Sequence, residues 1–279
     1  MKSILSGVLF TEKQKEKENM KITVLGSCSG TEPMTGRHHT SVLLEAGSSL
    51  YWFDAGEGCA HTAHTGGWDL LNSRALFITH PHMDHTGGLP HLIWTFVKVK
   101  GVRKTPMKYP FAIYTPAPQQ VYDYLRATSL TEFGGAVQST WINRVKDGLL
   151  YEDENITVEA LHNLHMGEPV DGVWRSFSYR IRCRETGKTV VLSGDVRSPE
   201  NLYDFLQEKT DLLLMETGHH DPLEVCSFLK TQLPCAPEKL LFYHHGRKIL
   251  FQTQYYLENC RKIYGEELFI ASDGTSVTL

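Results

Sequence analysis

The sequence predicts an α/β protein in which two mixed β-sheets pack face to face and carry helices on their outer sides. Apolar segments joined by short turns form hairpins in both halves of the chain, over 40–54 and 176–193. Beyond residue 199, apolar strands alternate with helical patterns. A single doubly wound sheet would not contain hairpins in both halves, so an αββα arrangement of two packed sheets fits better.

The individual elements follow from these patterns. We predict strands over 21–26, 40–45, 49–54, 74–79, 111–115, 156–161, 176–183, 189–193, 211–216 and 239–244, with a pair of strands at the end of the chain. Helices are predicted to begin at residue 89 and to cover 118–129, 199–208, 222–232 and 250–263. A basic connector is expected over 98–110, and a turn near Gly148.

Composition indicates one globular domain. The chain has 279 residues, of which 41% are hydrophobic and 22% charged, and no linker divides it. Residues 1–19 are highly charged and are expected to be a loosely ordered extension before a single domain over 20–279. The net charge of −4 argues against a general nucleic-acid binder. Oligomeric state is not readable from the sequence, and a homodimer is compatible with it.

The sequence also bears on location and redox state. No apolar run approaches the ~20 residues that span a bilayer, and the first residues lack the apolar core of a signal peptide. We therefore expect a cytoplasmic protein without membrane contact. Six cysteines without a Cys-x-x-Cys pair are expected to be reduced and mostly buried: Cys28, Cys59, Cys183, Cys226, Cys235 and Cys260.

The most informative segment is Thr79–His85, which holds three histidines and an aspartate directly after an apolar strand. His80 and His82 alternate along an extended segment, so both can face one metal ion. Asp84 and His85 fall on the following turn and can reach a second ion. Imidazole nitrogen and carboxylate oxygen are ligands that zinc, iron and manganese share. The alternative interpretation is a histidine-rich surface turn.

This His-x-His-x-Asp-His spacing resembles the signature of the metallo-β-lactamase superfamily, which implies three further ligands after later strands. Family spacing from Val158 favours His165 over His162 as the third-motif histidine. Asp195, after a strand and a glycine, matches the carboxylate that bridges two ions, although an aspartate there could instead cap a helix. At the end of the strand over 239–244, His244 is favoured over His245.

The resemblance therefore implies two divalent ions, zinc above all, with manganese or iron as alternatives. His80, His82 and His165 would hold one ion, Asp84, His85 and His244 the other, and Asp195 would bridge them. A hydroxide shared by the two ions would then be available at neutral pH.

Other segments resemble ribonuclease Z and the phosphodiesterases that share its fold. They are Leu25–Thr31, His39–Val42, Trp52–Gly58, Ile78–His85 with the following Gly87–Pro90, and Tyr179–Ile181. Ribonuclease Z carries a long tRNA-gripping arm between the last of these and Asp195, but only about a dozen residues intervene here. The resemblance implies hydrolysis of phosphodiester bonds in a small substrate or a short RNA, without the arm needed for tRNA 3′ processing.

Histidines that follow the predicted strands over 211–216 and 239–244 are candidates for the proton donor. His219 follows the strand over 211–216, where related phosphodiesterases place a histidine, and His220 and His245 are alternatives. Asp84 is expected to orient the hydroxide while binding metal. The basic residues Lys98, Lys100, Arg103, Lys104 and Lys108 either attract a phosphate-bearing substrate or form a solvated surface.

Other functions remain open on the same residues. The hydroxide would also attack a lactone, thioester or other carboxyl ester. A di-iron redox or oxygen-sensing protein is less compatible, because relatives with that chemistry usually replace a histidine by a carboxylate and carry a flavin domain. A binding protein with a degenerate site is disfavoured because all seven ligand positions are filled.

Overall fold

The computed structural model describes residues 20–31, 34–128 and 140–279. The expected N-terminal extension, 1–19, lies outside the described residues, as does the predicted end of a helix at Ser129.

Within these ranges the protein contains two sheets of seven strands each. The first has the order β14-β1-β2-β3-β4-β5-β6 and the second the order β13-β12-β11-β10-β9-β8-β7. The first-sheet strands are β1 (Lys21–Gly26), β2 (Ser41–Ala46), β3 (Ser49–Phe53), β4 (Ser73–Phe77), β5 (Phe111–Thr115), β6 (Thr140–Arg144) and β14 (Ser276–Thr278). The second-sheet strands are β7 (Gly148–Glu152), β8 (Ile156–His162), β9 (Phe177–Cys183), β10 (Thr189–Leu192), β11 (Leu212–Thr217), β12 (Lys239–His245) and β13 (Leu268–Ile270).

Helices cover the outer side of each sheet. They are α1 (Cys59–Thr65), α2 (Met83–Thr86), α3 (Leu89–Arg103), α4 (Pro118–Ala127), α5 (Pro222–Thr231), α6 (Arg247–Phe251) and α7 (Thr253–Tyr264). In the described part of the chain, no helix has the length and apolar character that a bilayer crossing requires.

Three hydrophobic cores account for the layered architecture. Alternate side chains of both sheets, such as Phe77 and Tyr179, form the core between the sheets. The opposite face of the first sheet packs Trp52 and Leu76 against α1 and α3. The opposite face of the second sheet packs Leu213 against α5 and α7. The predicted αββα arrangement of two mixed sheets is thus confirmed.

Most predicted elements are present, including the two hairpins β2–β3 and β9–β10. Three predictions were wrong. The helix at residue 89 continues to Arg103 and absorbs the first part of the expected connector. The segment 199–208 forms only two short 3-10 turns, Pro199–Leu202 and Phe205–Gln207. The terminal strands do not pair with each other, because β13 joins β12 and β14 joins β1.

Two edge strands and a helix boundary were also missed. Both β6 and β7 lie at an edge of their sheet and leave large side chains such as Trp141 and Leu149 exposed, so their sequences lack the apolar alternation of a half-buried strand. The helix expected over 250–263 is divided at Gln252 into α6 and α7.

All six cysteines are free, as the sequence predicted. Five are buried, and Cys235 is exposed.

The arrangement of parallel strands determines where the chemistry lies. In the first sheet β3 runs parallel to β4, and in the second β10, β11 and β12 run parallel. Their carboxyl ends lead into the segments that carry Asp54, His80, Asp195, Glu216 and His244. One edge of the sandwich therefore collects side chains from both sheets.

Candidate metal centre

Three histidines from two segments form the first group. His80 and His82 follow β4, and His165 lies in the loop after β8. His82 Nδ1 lies 2.9 Å from His80 Nε2 and 3.4 Å from His165 Nε2. Three ring nitrogens therefore converge on one point, an arrangement that a cation between them would stabilise.

The second group joins Asp84, His85, Asp195 and His244, whose candidate ligand atoms lie within 4.8 Å of one another. His85 Nε2 and His244 Nε2 are 3.2 Å apart. Asp84 Oδ2 is 3.5 Å from the first of these nitrogens and 3.3 Å from the second. These residues are separated by up to 160 positions in the chain and are brought together only by sheet packing.

Asp195 lies between the two groups. Its Oδ2 is 3.7 Å from His80 Nε2 and 3.7 Å from His165 Nε2. Its Oδ1 is 3.3 Å from His85 Nε2 and 3.2 Å from His244 Nε2. The carboxylate does not cap the following turn, where Ser198 occupies the N-cap position. Each oxygen thus faces one group, as a bridging ligand requires.

The residues fit a pair of divalent cations. Asp195 is 3% exposed, yet its Oδ1 has no hydrogen-bond partner among the described residues. A buried carboxylate oxygen without a partner is costly, and a cation would satisfy it. The donor set of imidazole nitrogens and carboxylate oxygens suits zinc, manganese or iron.

Electrostatics differ between the two groups. Burial lowers the pKa of His80 well below its usual range and the pKa of His165 to about 4, which leaves neutral nitrogens able to bind a cation. Burial also opposes the charged form of His244, but the carboxylates of Asp195 and Asp84 raise its pKa to about 9. The second group therefore attracts positive charge strongly, and a metal ion would replace protons there.

Local backbone geometry directs His244 into the centre. The pairing of β11 with β12 shifts after Tyr243, so that Thr217 lies opposite His245, and His244 adopts a left-handed φ of 49°. This β-bulge breaks the alternation of the strand and points His244 toward the second group. His244 is the residue that the sequence predicted. The β-bulge, and not the regular alternation of the strand, directs it toward the second group.

Asp54 is a functional candidate that the sequence analysis did not single out. It follows β3 with a φ of 58° and is 1% exposed. Its Oδ2 accepts hydrogen bonds from His85 Nδ1 at 2.7 Å and from Thr79 Oγ1 at 2.8 Å, and its Oδ1 accepts the Thr79 N–H. The carboxylate thereby fixes the His85 ring so that Nε2 faces the centre. The only sequence signal was its position in Trp52–Gly58.

Glu216, also missed, organises the histidines at the rim. It is fully buried, and its Oε1 lies 3.0 Å from His219 Nδ1 and 3.2 Å from His220 Nε2. This hydrogen bond to Glu216 raises the pKa of His219. The ring of His219 is 45% exposed, and its centroid lies 5.0 Å from that of His165.

The other candidate histidines point elsewhere. His220 Nε2 also lies 3.0 Å from the Val196 carbonyl oxygen. His245 is fully buried between the Ala271 carbonyl, 2.9 Å from its Nε2, and the Thr217 hydroxyl, 2.8 Å from its Nδ1. His162 pairs with Asp147 and stacks on Trp174. Of His219, His220 and His245, His219 alone places its ring beside both groups, with its centroid 5.0 Å from that of His165 and 5.8 Å from that of His244.

A family model described as anti-Pycsar protein Apyc1 matches residues 20–250, which include every residue of the two groups. The chain belongs to the Apyc1 family. Its curated relatives include ribonuclease Z of Microcystis aeruginosa, 31% identical over 143 residues, and of Gloeothece citriformis, 35% identical over 144 residues. Each match covers 50% of this chain and 42% of the relative, so the chain spans less than half the length of these ribonucleases.

Solved structures show the same fold. The metallo-β-lactamase fold protein YhfI from Bacillus subtilis superposes with a TM-score of 0.71 at 19% identity, covering 94% of this chain and all of that one. The short form of human tRNase Z gives 0.66 at 20% identity, covering 92% and 98%. Unliganded yeast PDE1 gives 0.66 at 15% identity, covering 94% and 100%. The predicted metallo-β-lactamase fold is confirmed by these structures, and the predicted resemblance to ribonuclease Z is confirmed by the curated relatives.

Proposed function

We propose that this protein is a metal-dependent hydrolase of phosphodiester bonds. The observation that carries the proposal is the convergence of seven histidine and aspartate side chains into two adjoining groups with Asp195 between them. The ribonuclease Z relatives and the structural likeness to yeast PDE1 support a phosphodiester substrate.

Two divalent cations would be held by these groups, and zinc is the first choice. His80, His82 and His165 would bind one, Asp84, His85 and His244 the other, and Asp195 both. Such a pair would lower the pKa of a bound water toward ~7 and would neutralise charge on the phosphate.

The chain's own residues supply orientation and proton transfer. Asp54 holds the His85 ring in place, and Glu216 holds His219 at the rim of the centre. His219 donates a proton to the departing oxygen, since it is exposed enough to touch a substrate and remains protonated to higher pH than an isolated histidine. Asp84, whose side chain is 14% exposed, would orient the attacking hydroxide by accepting its hydrogen bond.

The substrate is a small phosphodiester or a short RNA. Between β9, which ends at Cys183, and β10, which begins at Thr189, there is only a tight turn. No arm extends from this hairpin to grip a folded RNA.

We also assign residues 20–279 to one folding unit, which the continuous core between the sheets supports.

The test is a substrate screen with metal-loaded full-length protein. Cyclic nucleotides, dinucleotides, unprocessed tRNA, bis(p-nitrophenyl) phosphate and a panel of lactones and thioesters would be compared. We expect turnover of small phosphodiesters, loss of turnover in His82→Ala, and normal turnover in the matched control His91→Ala, which changes an exposed histidine of α3. Turnover of the carbonyl compounds alone would replace this proposal with the carboxyl-ester alternative.

Metal content gives a second readout. We expect two equivalents of divalent metal in the wild-type protein. The variants His80→Ala, which changes the first group, and His244→Ala, which changes the second, should each contain less. Less than one equivalent in wild-type protein purified without chelator would contradict the two-metal assignment.

A further inference from the structure

One carboxylate in the segment between β13 and β14 holds the loop that follows β1. Asp273 Oδ1 accepts hydrogen bonds from the Ser27 N–H at 2.9 Å and from the Ser27 hydroxyl at 2.7 Å. Its Oδ2 accepts the His38 N–H at 2.7 Å and lies 2.9 Å from His38 Nδ1. The Asp273 side chain is only 13% exposed. Because an ionised acceptor forms stronger hydrogen bonds than a neutral one, this carboxylate fixes the start of the loop.

The loop held by Asp273 is paired in turn with the end of β12. The Ser27 carbonyl oxygen accepts the His245 N–H at 2.8 Å, and the His245 carbonyl oxygen accepts the Ser29 N–H at 3.1 Å. The residue before His245 is His244, which enters the second group through its left-handed backbone. The backbone of the β12 bulge is therefore attached to the loop immediately beside a proposed metal ligand.

The other end of the loop lies against Asp84. A Cβ at Gly30 would be 3.1 Å from Asp84 Oδ2 and 3.2 Å from Asp84 Cγ, which is closer than the optimal separation of ~3.5–4.0 Å between carbon atoms. The absence of a side chain thus lets the loop approach the carboxylate and limits where the carboxylate can point. Asp84 and His244 both belong to the second group.

We infer that Asp273 is a positioning residue for the second group of metal ligands. By fixing the loop over 27–31, it sets the position of the Asp84 carboxylate and of the His244 backbone. The inference rests on the proposed two-metal function and assigns a role to a residue outside the seven proposed ligands. Its effect falls on one ion and spares the other, because both connections lead to ligands of the second group.

The test is titration of metal-free full-length protein with Co²⁺, followed by its d–d absorption, in variants that retain one group. His82→Ala disables the first group, so that the remaining ion reports on the second, and His244→Ala does the reverse. We expect Asp273→Asn to raise the dissociation constant for Co²⁺ by about tenfold or more in the His82→Ala protein and to leave it unchanged in the His244→Ala protein. Asparagine has nearly the same shape, but its NH₂ group would face the donors of Ser27 or His38.

Three further variants accompany Asp273→Asn. Ser272→Ala changes an exposed neighbour and is the matched control, which should bind Co²⁺ normally in both backgrounds. Ser27→Ala removes one hydrogen bond to the carboxylate and should cause a smaller loss in the protein that retains the second group. Gly30→Ala should cause a loss in the same protein, because its Cβ displaces Asp84 while the contacts of Asp273 remain.

Two results overturn the inference while the proposed function stands. The first is that Asp273→Asn weakens the first group as much as the second or more, which would mean that it only stabilises the fold. The second is unchanged affinity in both backgrounds, which would mean that the loop does not control the ligands. Fewer than two Co²⁺ ions in the wild-type protein would instead contradict the two-metal function, and the inference with it.

Discussion

Asp54 shows how a residue outside the proposed ligand set can orient one of the histidines in that set. Its left-handed backbone carries conformational strain, and its carboxylate joins β4 to the second group through Thr79 and His85. A carboxylate behind a metal-binding histidine fixes the ring and raises its basicity. The strain and burial of Asp54 are therefore explained by its effect on His85.

We predict that Asp54→Asn lowers metal affinity or kcat/KM by about 10–100-fold, because the amide is a weaker acceptor for the His85 N–H. Metal titration and steady-state kinetics would measure this loss. Asp204→Asn, at an exposed aspartate, is the control and should behave as wild type. An Asp54→Asn protein with unchanged metal affinity and kinetics would remove Asp54 from the site.

His219 permits a prediction that separates a proton donor from a structural residue. We expect His219→Gln to lower kcat by about 10²–10⁴-fold on a dinucleotide, whose alkoxide leaving group needs a proton. The loss should be far smaller on a p-nitrophenyl ester, since p-nitrophenolate leaves without protonation. His220→Gln, which removes the neighbouring partner of Glu216, is the matched control.

The dependence of the rate on pH also tests proton donation by His219. Because Glu216 raises the pKa of His219, the protonated donor persists below that pKa and is lost as the pH rises through it. The dinucleotide rate of the wild-type protein should therefore fall on the alkaline side, and His219→Gln should lack this fall. Equal losses on both classes of substrate would contradict proton donation.

At the level of elements, the turn after β10 depends on Gly194. Its φ is 58°, and a Cβ there would lie 2.9 Å from the Phe177 carbonyl oxygen and 2.9 Å from Thr79 Cγ2. Gly187, in the β9–β10 turn, has a similar φ of 71° but open space around the position of a Cβ. A comparison of substitutions at Gly187 and Gly194 therefore distinguishes the cost of backbone strain from the cost of steric overlap.

We predict that Gly187→Ala costs about 1–2 kcal/mol from the left-handed backbone alone, and that Gly194→Ala costs more because the strands must also move apart. Denaturant unfolding measures both. Gly194→Ala should in addition lower metal content, since it displaces Asp195. Equal stabilities for the two variants would mean that the turn relaxes without cost.

The length of α3 can be tested in a similar way. Gly101 lies in the last turn of the helix, with open space around the position of a Cβ. We expect Gly101→Ala to stabilise the protein by about 0.5–1 kcal/mol, because alanine favours a helix more than glycine does. Thermal unfolding should show the gain. A change in the opposite direction would favour the connector that the sequence suggested.

Three residues of the predicted basic connector, Lys98, Lys100 and Arg103, lie on α3. At ~1.5 Å per residue, Lys100 lies roughly 16 Å along the axis from Leu89 at the start of the helix. Arg103 pairs with Asp69, and Lys98 lies over the Trp94 ring. These contacts favour a solvated helix surface over a substrate-attracting loop.

For the molecule as a whole, a buried polar cluster joins the two sheets near the start of β4, the strand whose other end leads to the candidate metal centre. Asp153, in the turn between β7 and β8, accepts hydrogen bonds from Tyr51 and Tyr151 at 2.6 and 2.7 Å. It also pairs with Arg74 of β4 at 3.1 Å, and both side chains are 9% exposed. Removing Asp153 would leave the buried Arg74 with the exposed Glu154 as its remaining charged partner and would deprive both tyrosine hydroxyls of their acceptor.

We predict that Asp153→Ala destabilises the protein by about 3–5 kcal/mol while metal stoichiometry in the remaining folded protein is unchanged. Glu154→Gln is the control: Glu154 also contacts Arg74, but its side chain is 65% exposed, so the loss should be no more than about 1 kcal/mol. Chemical denaturation and metal analysis provide the two measurements. A similar loss in both variants would show that burial of the cluster contributes little.

The packing of the whole molecule explains which sequence-based predictions succeeded and which failed. The motif over 79–85, the hairpins and the central strands depend on local patterns that the sequence displays directly. Strands β6 and β7 were missed because edge strands with exposed side chains lack a strong periodicity. The terminal strands were paired wrongly because β14 pairs with β1 at the other end of the described chain, and β13 pairs with β12 across the helices α6 and α7.

The chemical character of the site could be predicted from the amino-acid sequence, because seven histidine and aspartate residues follow apolar strands in a spacing that resembles the metallo-β-lactamase signature. The tertiary structure was needed to show that one oxygen of Asp195 faces each group, and that the buried carboxylates of Asp54 and Glu216 orient His85 and His219. The reason is physical: distances between residues such as His85 and His244, 159 positions apart, are set by the packing of two sheets and by the bulge in β12, and no local pattern encodes either.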